Sequence, residues 1–152
     1  MKFIETLASR NGNRIDLEPA IRLVEPVCKR YAIELLYLFG SYAHNAANKF
    51  SDLDVAFLAK KDLSENETND FSVELQKIFE EEAIDLVNLE KSPSVLAHQV
   101  LKNGVCLFAG SLTARIEFET KSEQRYFDTE PLRRECFQAM ERRLMNGSFG
   151  HR

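Results

Sequence analysis

The sequence predicts an α+β domain of α/β-like order, in which a small mixed β-sheet is flanked by helices and followed by a helical C-terminal tail. Two observations support this prediction. Up to residue 110, short apolar runs typical of buried strands alternate with segments whose apolar residues recur at helical spacing. After Ser111 the strand-like runs stop and only helical patterns remain. Strands that alternate with helices form a sheet covered by helices.

The first thirty residues are predicted to form helices. Residues 2–10 are expected to be a short helix that ends at an Asn-Gly-Asn break. Residues 17–31 place apolar side chains at helical spacing over four turns. Pro26 lies inside that second pattern, where it either kinks one helix or begins another helix in its first turn.

The part between residues 34 and 109 is predicted to hold four strands and three helices. Asn69 or Asp70 is expected to cap the middle helix, after a polar loop over residues 60–68. Ser92-Pro93 and Gly104 have the forms of a helix start and a helix stop. The predicted strands are 34–39, 52–59, 84–89 and 105–109, and the predicted helices are 42–47, a helix with the apolar residues Phe71, Leu75, Ile78 and Phe79, and 93–103.

The last forty residues predict two helices, over 111–127 and 131–145, with Thr129 as the cap of the second. We expect residues 1–110 to be the core and residues 111–152 to be a helical extension of the same single domain. The last helix has an apolar stripe that is expected to pack on the sheet, and its arginines are either a solvated face or a contact surface for an acidic partner or phosphate. The stripe is Leu132, Cys136, Ala139, Met140 and Leu144, and the arginines are Arg133, Arg134, Arg142 and Arg143.

Composition excludes several classes of protein. The 152 residues have a net charge of −4, so no overall basic field attracts nucleic acid, and no direct nucleic-acid binding is expected. Cys28, Cys106 and Cys136 are far apart and without clustered histidines, which is typical of reduced core thiols and not of a zinc site. No apolar run is long enough to span a membrane, and the N-terminus lacks the apolar region of a signal peptide. A cytoplasmic location is therefore expected.

The most informative stretch reads Gly40-Ser41, then ten residues, then Asp52-Leu53-Asp54. Side chains alternate along a strand, so the two carboxylates point the same way, roughly 6–7 Å apart. Carboxylates at this separation suit magnesium, which is usually held by one or two of them plus substrate phosphates. The glycine lets the backbone approach a phosphate closely. Asp85, inside an apolar run, needs a partner or a metal, because burying a lone carboxylate is costly.

This order of Gly-Ser, short helix, Asp-x-Asp and a later acid resembles the signature of the nucleotidyltransferase superfamily that includes DNA polymerase β. The short chain after the core and its arginine-rich last helix most resemble the MntA antitoxins, which are paired with HepT ribonuclease toxins. The resemblance implies a nucleotidyltransferase core in which the strands on either side of the Gly-Ser turn are antiparallel neighbours. It also implies that the next strand provides the last acid.

The same resemblance implies an activity and a set of roles. The chain would transfer AMP from ATP to a tyrosine hydroxyl of a HepT-like HEPN ribonuclease toxin, depend on magnesium (two ions), release pyrophosphate and neutralise the toxin. Gly40 and Ser41 would hold the triphosphate, and Asp52 and Asp54 would bind magnesium. Asp85 would complete the metal site and help to deprotonate the hydroxyl.

Two other functions remain open at this point. One is a nucleotidyltransferase that modifies a small molecule such as an antibiotic, although the chain lacks a large acceptor domain. The other is a non-catalytic protein that neutralises a toxin by binding alone. The chain itself lacks the Arg-x4–6-His pattern of the HepT toxins. His44 and Lys49, between the two parts of the motif, are expected to be exposed polar residues.

Overall fold

The computed structural model describes residues 6–8, 14–43 and 52–146, and within them the predicted α+β class is confirmed. A four-stranded mixed sheet has the strand order β5-β4-β3-β6, and a two-stranded sheet pairs β1 with β2. The strands are β1 Thr6–Ala8, β2 Arg14–Asp16, β3 Ile33–Phe39, β4 Leu53–Ala59, β5 Ile84–Asn88 and β6 Val105–Ala109. The helices are α1 Leu17–Arg30, α2 Gly40–Ala43, α3 Glu65–Phe79, α4 Ser94–Asn103, α5 Leu112–Asp128 and α6 Glu130–Met145.

The prediction of a helix over residues 2–10 is wrong where the structure describes that range. Thr6–Ala8 is a strand that pairs antiparallel with β2, and Leu7 lies opposite Ile15. A single short helix is marginal in water, whereas an extended segment beside another strand pairs its backbone groups with that strand. The predicted Asn-Gly-Asn break falls on residues 11–13, which lie outside the described residues.

The question about Pro26 is resolved in favour of one helix. α1 runs from Leu17 to Arg30 with Pro26 inside it. Pro26 lies on the exposed side of α1, while Val24, Val27 and Cys28 on the opposite side are buried against the sheet. Burial of this apolar side compensates for the backbone hydrogen bond that proline cannot donate.

α3 begins earlier than predicted because Ser64 and Glu67 form a capping box. The Ser64 side chain accepts a hydrogen bond from the backbone N–H of Glu67, and the Glu67 carboxylate accepts one from the backbone N–H of Ser64 at 2.9 Å. The expected cap at Asn69 or Asp70 is therefore wrong. The predicted apolar positions are correct, since Phe71, Leu75 and Phe79 are buried and Ile78 is half-buried.

The four-stranded sheet has an apolar core on each face. β3 is antiparallel to both β4 and β6, whereas β4 is parallel to β5 through the crossover helix α3. α1 and α3 cover one face, where Val24, Leu36 and Phe71 belong to one buried cluster. α4 and α5 cover the other face, where Leu35, Ala97 and Phe118 belong to a second cluster. This arrangement holds the ends of β3, β4 and β5 in fixed register.

The other predicted elements of the core are correct within about two residues, the usual uncertainty of helix and strand ends. β3, β4, β5, β6 and α4 occupy the predicted places. α2 begins at Gly40, before the predicted start at residue 42, and residues 44–51 lie outside the described residues. No helix in the described ranges is both long enough and apolar enough to cross a membrane.

The two C-terminal helices are present, but α6 does not pack on the sheet. None of its residues is buried, so the predicted packing of its apolar stripe is wrong. Cys136 is exposed as well, so only Cys28 fits the expected buried core thiol, and Cys106 is half-buried. Thr129 precedes α6 without capping it, because its hydroxyl donates to the carbonyls of Arg125 and Tyr126 in α5 instead. The division into a core and an extension at residue 110 stays a prediction.

Candidate active site

The motif residues meet where three strands lie side by side. Phe39, the last residue of β3, is paired with Asp54 of β4, and Asp54 is paired with Asp85 of β5. Gly40 follows directly and begins α2. Asp54 is thus flanked by the Gly-Ser turn on one side and by a second carboxylate on the other. The predicted antiparallel neighbours and the acid on the next strand are both present.

Gly40 makes room for the Asp54 carboxylate. Its φ of +70° is in the left-handed region, which glycine adopts without steric cost. A Cβ atom at this position would lie 2.0 Å from Oδ2 of Asp54 and 2.8 Å from its Cγ. No side chain at residue 40 fits while Asp54 keeps its place, so the glycine is required for the observed position of the Asp54 carboxylate.

The environment of the Asp54 carboxylate disfavours a negative charge. It is half-buried at the start of β4, and burial raises its pKa above the usual value. Asp85 and then Asp52 raise the pKa further, because each places a like charge nearby. A cation bound beside Asp54 would reverse this effect, since an opposite charge favours the ionised form.

Asp52 and Asp85 are exposed, which differs from the expectation for Asp85. Asp85 was expected to lie inside an apolar strand as a costly buried carboxylate. It instead belongs to an edge strand, β5, where its side chain reaches solvent. An exposed carboxylate beside a half-buried one is accessible to an incoming substrate.

The donor set fits a hard cation, although the described residues do not form a closed metal site. Among residues 6–8, 14–43 and 52–146, no group of three or more His, Cys, Asp or Glu side chains is arranged to hold a metal ion. Magnesium does not need such a group, since it commonly binds one or two carboxylates and completes its shell with water and substrate phosphates. The like charges of Asp85 and Asp52 beside the Asp54 carboxylate are the observation that supports a cation there.

The sequence pattern correctly places Gly40, Asp54 and Asp85 side by side, but it does not show one relationship between them. It related Gly40 to the approach of a phosphate, whereas the structure also makes Gly40 the neighbour of Asp54. A glycine at the end of an apolar strand was the available signal, since such glycines often mark a close approach of another group. Ser41 follows in α2 and is half-buried. His44 and Lys49 lie outside the described residues.

Comparison with known proteins agrees with this geometry. The model of the family described as "Polymerase beta, Nucleotidyltransferase" matches residues 23–111, which include β3, β4, β5 and every residue of the motif. The protein adenylyltransferase MntA of Shewanella oneidensis is 33% identical over 72 residues, which are 47% of this chain and 51% of that protein. The chain thus spans about half the length of this curated relative.

Solved structures share the fold at lower sequence identity. A chain in a crystal structure of a toxin-antitoxin with AMP-PNP superposes with a TM-score of 0.69 at 24% identity, over 80% of this chain and 98% of that one. A chain from a tri-AMPylated Shewanella oneidensis HEPN toxin in complex with MNT antitoxin gives a TM-score of 0.66 at 22% identity, over 82% and 98%. These likenesses establish the fold.

Proposed function

Because the chain belongs to the polymerase β-type nucleotidyltransferase family, we propose that it is an antitoxin that transfers AMP from ATP to a tyrosine hydroxyl of a HepT-like HEPN ribonuclease toxin. The nucleotidyltransferase class follows from the family itself. The observation that supports the chemistry is the position of Asp54, which has Gly40 on one side and the carboxylates of Asp52 and Asp85 nearby. Support for the acceptor comes from the similarity to MntA, a protein adenylyltransferase, and from the fold shared with toxin-antitoxin structures.

The proposed reaction exchanges one phosphorus–oxygen bond for another. The acceptor hydroxyl oxygen attacks the α-phosphorus of ATP, the bond from that phosphorus to the bridging oxygen breaks, and pyrophosphate leaves. The hydroxyl proton passes to Asp85, which is exposed and adjacent to Asp54. Placing the attacking and leaving oxygens in line provides much of the catalysis in phosphoryl transfer.

Each remaining motif residue has a role in holding the nucleotide. Gly40 and Ser41 hold the triphosphate, since the glycine backbone admits a close approach and the serine adds a hydroxyl donor. Asp52 and Asp54 hold magnesium, with Asp85 completing the acidic set. Bound magnesium supplies charge neutralisation on the transferred phosphoryl group and lowers the pKa of the acceptor hydroxyl.

The acceptor is tested with the partner toxin. The acceptor to use is a HepT-like HEPN ribonuclease toxin with an Arg-x4–6-His motif, sought first in the gene next to that of this chain. Incubated with this chain, ATP and magnesium, it is expected to gain mass in steps of one AMP unit, and tyrosine is expected to be the modified residue in fragment spectra. A toxin of unchanged mass would contradict the proposal. Toxin silenced without modification would favour the binding-only alternative.

ATP binding is expected to depend on magnesium. The three carboxylates repel the negatively charged polyphosphate of ATP, and a bound cation is needed to offset this repulsion. Calorimetry on the isolated chain should give an ATP affinity that falls at least about tenfold when EDTA replaces magnesium, equal to about 1.4 kcal/mol. Titration of calcium without ATP serves as the control for cation binding alone. An equal ATP affinity with and without EDTA would contradict the proposed metal-binding role of these carboxylates.

A further inference from the structure

α6 leaves an apolar surface in solvent. Phe137, Met140 and Leu144 are 66%, 46% and 54% exposed, and they recur at spacings of three and four residues. Together with Phe127 and Tyr126 of α5, they line an open groove of about 600 Å³. This spacing is the one by which a helix packs along another helix. The described parts of this chain provide no element that covers it, because α6 contains no buried residue.

The base of α6 is held firmly, so the surface has a defined position. Arg133 stacks over the Tyr126 ring at 3.8 Å and donates to the Tyr126 carbonyl at 2.6 Å. On its other face, the Tyr126 ring stacks on His98 of α4, with centroids 3.8 Å apart. Through Tyr126, the start of α6 is therefore connected to the core of the domain. A fixed helix can present one side to a partner.

The charges along α6 identify the partner, because they match an antiparallel copy of the same helix. Arg134 and Glu141 are seven residues apart and so lie on the same side of the helix, beside the apolar positions. An antiparallel copy centred near Phe137 would bring Arg134 beside Glu141 of the second copy, and Glu141 beside its Arg134. It would also bring Glu130 toward the Arg142-Arg143 end.

We propose that α6 pairs antiparallel with α6 of a second copy of this chain, forming a twofold dimer in which Phe137 packs against Met140 of the second copy. The interface is isologous, so each contact occurs twice. It involves residues of α6 that have no role in the proposed chemistry. The dimer is therefore independent of the function proposed above.

Charge exchange tests the pairing on the full chain. Arg134→Glu and Glu141→Arg should each raise the dimer dissociation constant at least about tenfold in sedimentation equilibrium, since each creates two like-charge contacts per dimer. The double variant carries both exchanged charges and should return to within about threefold of wild type. The Arg134–Glu130 ion pair within α6, at 3.1 Å, is lost in Arg134→Glu and in the double variant alike, so its loss does not explain a recovery.

Cross-linking provides a second readout that does not depend on the charges. Cys136 is exposed beside the centre of the proposed pair, while Cys28 is buried. A short bis-maleimide should link two copies of the wild-type chain, and Cys136→Ser should abolish this product. Unchanged helicity by circular dichroism and unchanged ATP affinity confirm that each variant is folded. A chain that stays monomeric at high concentration would overturn the proposal, and so would a double variant that dimerises no better than the single variants. Binding of the toxin to the monomer through α6 would also overturn it and would assign this surface to the toxin.

Discussion

Asp54→Asn is expected to lower the rate of AMP transfer by about 10²–10³-fold, the range found when one preorganised electrostatic group is removed from an active site. Asn keeps the shape of the side chain beside Gly40 but removes the charge that would hold magnesium. Labelled ATP and the modified toxin give the rate. Asp62→Asn is a matched control, because Asp62 is an exposed carboxylate that forms an ion pair with the exposed Lys91, away from the motif residues. Retained transfer in Asp54→Asn would contradict the assignment.

The same substitution is expected to leave the protein as stable as the wild type or more stable. Burial and the neighbouring acids raise the pKa of Asp54 in the folded chain, so the folded state holds this proton more tightly than the unfolded state. The wild type therefore gains stability from this group as the pH falls from neutral through the raised pKa, and Asp54→Asn lacks that gain. Thermal unfolding of both proteins across this pH range measures the difference. A lower melting temperature for the variant at neutral pH would indicate a structural role instead.

Gly40→Ala is expected to impair both folding and activity. Its left-handed φ of +70° costs an alanine about 1–2 kcal/mol. The new Cβ would also overlap Oδ2 of Asp54, so the carboxylate must move. A displacement of about 1 Å at a reacting centre lowers rates by about 10²-fold. Urea unfolding and the transfer assay measure the two effects.

Gly110→Ala is the matched control for this experiment. A Cβ at Gly110 would lie 3.5 Å from the nearest atom, the carbonyl oxygen of Glu34, which is an ordinary van der Waals distance. This substitution should change stability by less than about 1 kcal/mol and leave transfer unchanged. If Gly40→Ala behaved like Gly110→Ala, the close contact with Asp54 would have no importance for the site.

The core of the fold and the meeting of the motif residues were predictable because their signals are local. β3 and β4 are continuous apolar runs bounded by turn residues, and the apolar periodicity of α3 marks the side that becomes buried. The start of α3 was missed although its signal was present, since Ser64 and Glu67 have the spacing of a capping box. Asn69 and Asp70 are good capping residues individually, but both lie inside α3.

Other features were not predictable from local patterns. Thr6–Ala8 is a strand because β2 lies beside it, and pairing between segments leaves little trace in either segment alone. The apolar stripe of α6 correctly predicted a helix but not where its apolar side would go. Periodicity indicates that one side avoids water, and it does not say whether the cover is the same chain or another one. The exposure of Asp85 likewise depends on β5 being an edge strand.

The parallel pairing of β4 with β5 affects the order in which the acidic residues of the site come together during folding. Asp54 and Asp85 are about thirty residues apart, and contacts between distant positions form slowly because a long loop must first be closed. The antiparallel pair of β3 and β4 joins segments closer in the chain and brings Gly40 to Asp54 first. A nascent chain that has formed only this pair holds two of the three acids, Asp52 and Asp54, and lacks the pairing with Asp85. With the role proposed above for Asp85, AMP transfer is expected to require the completed crossover through α3, which links the acidic pair of β4 to the acid of β5.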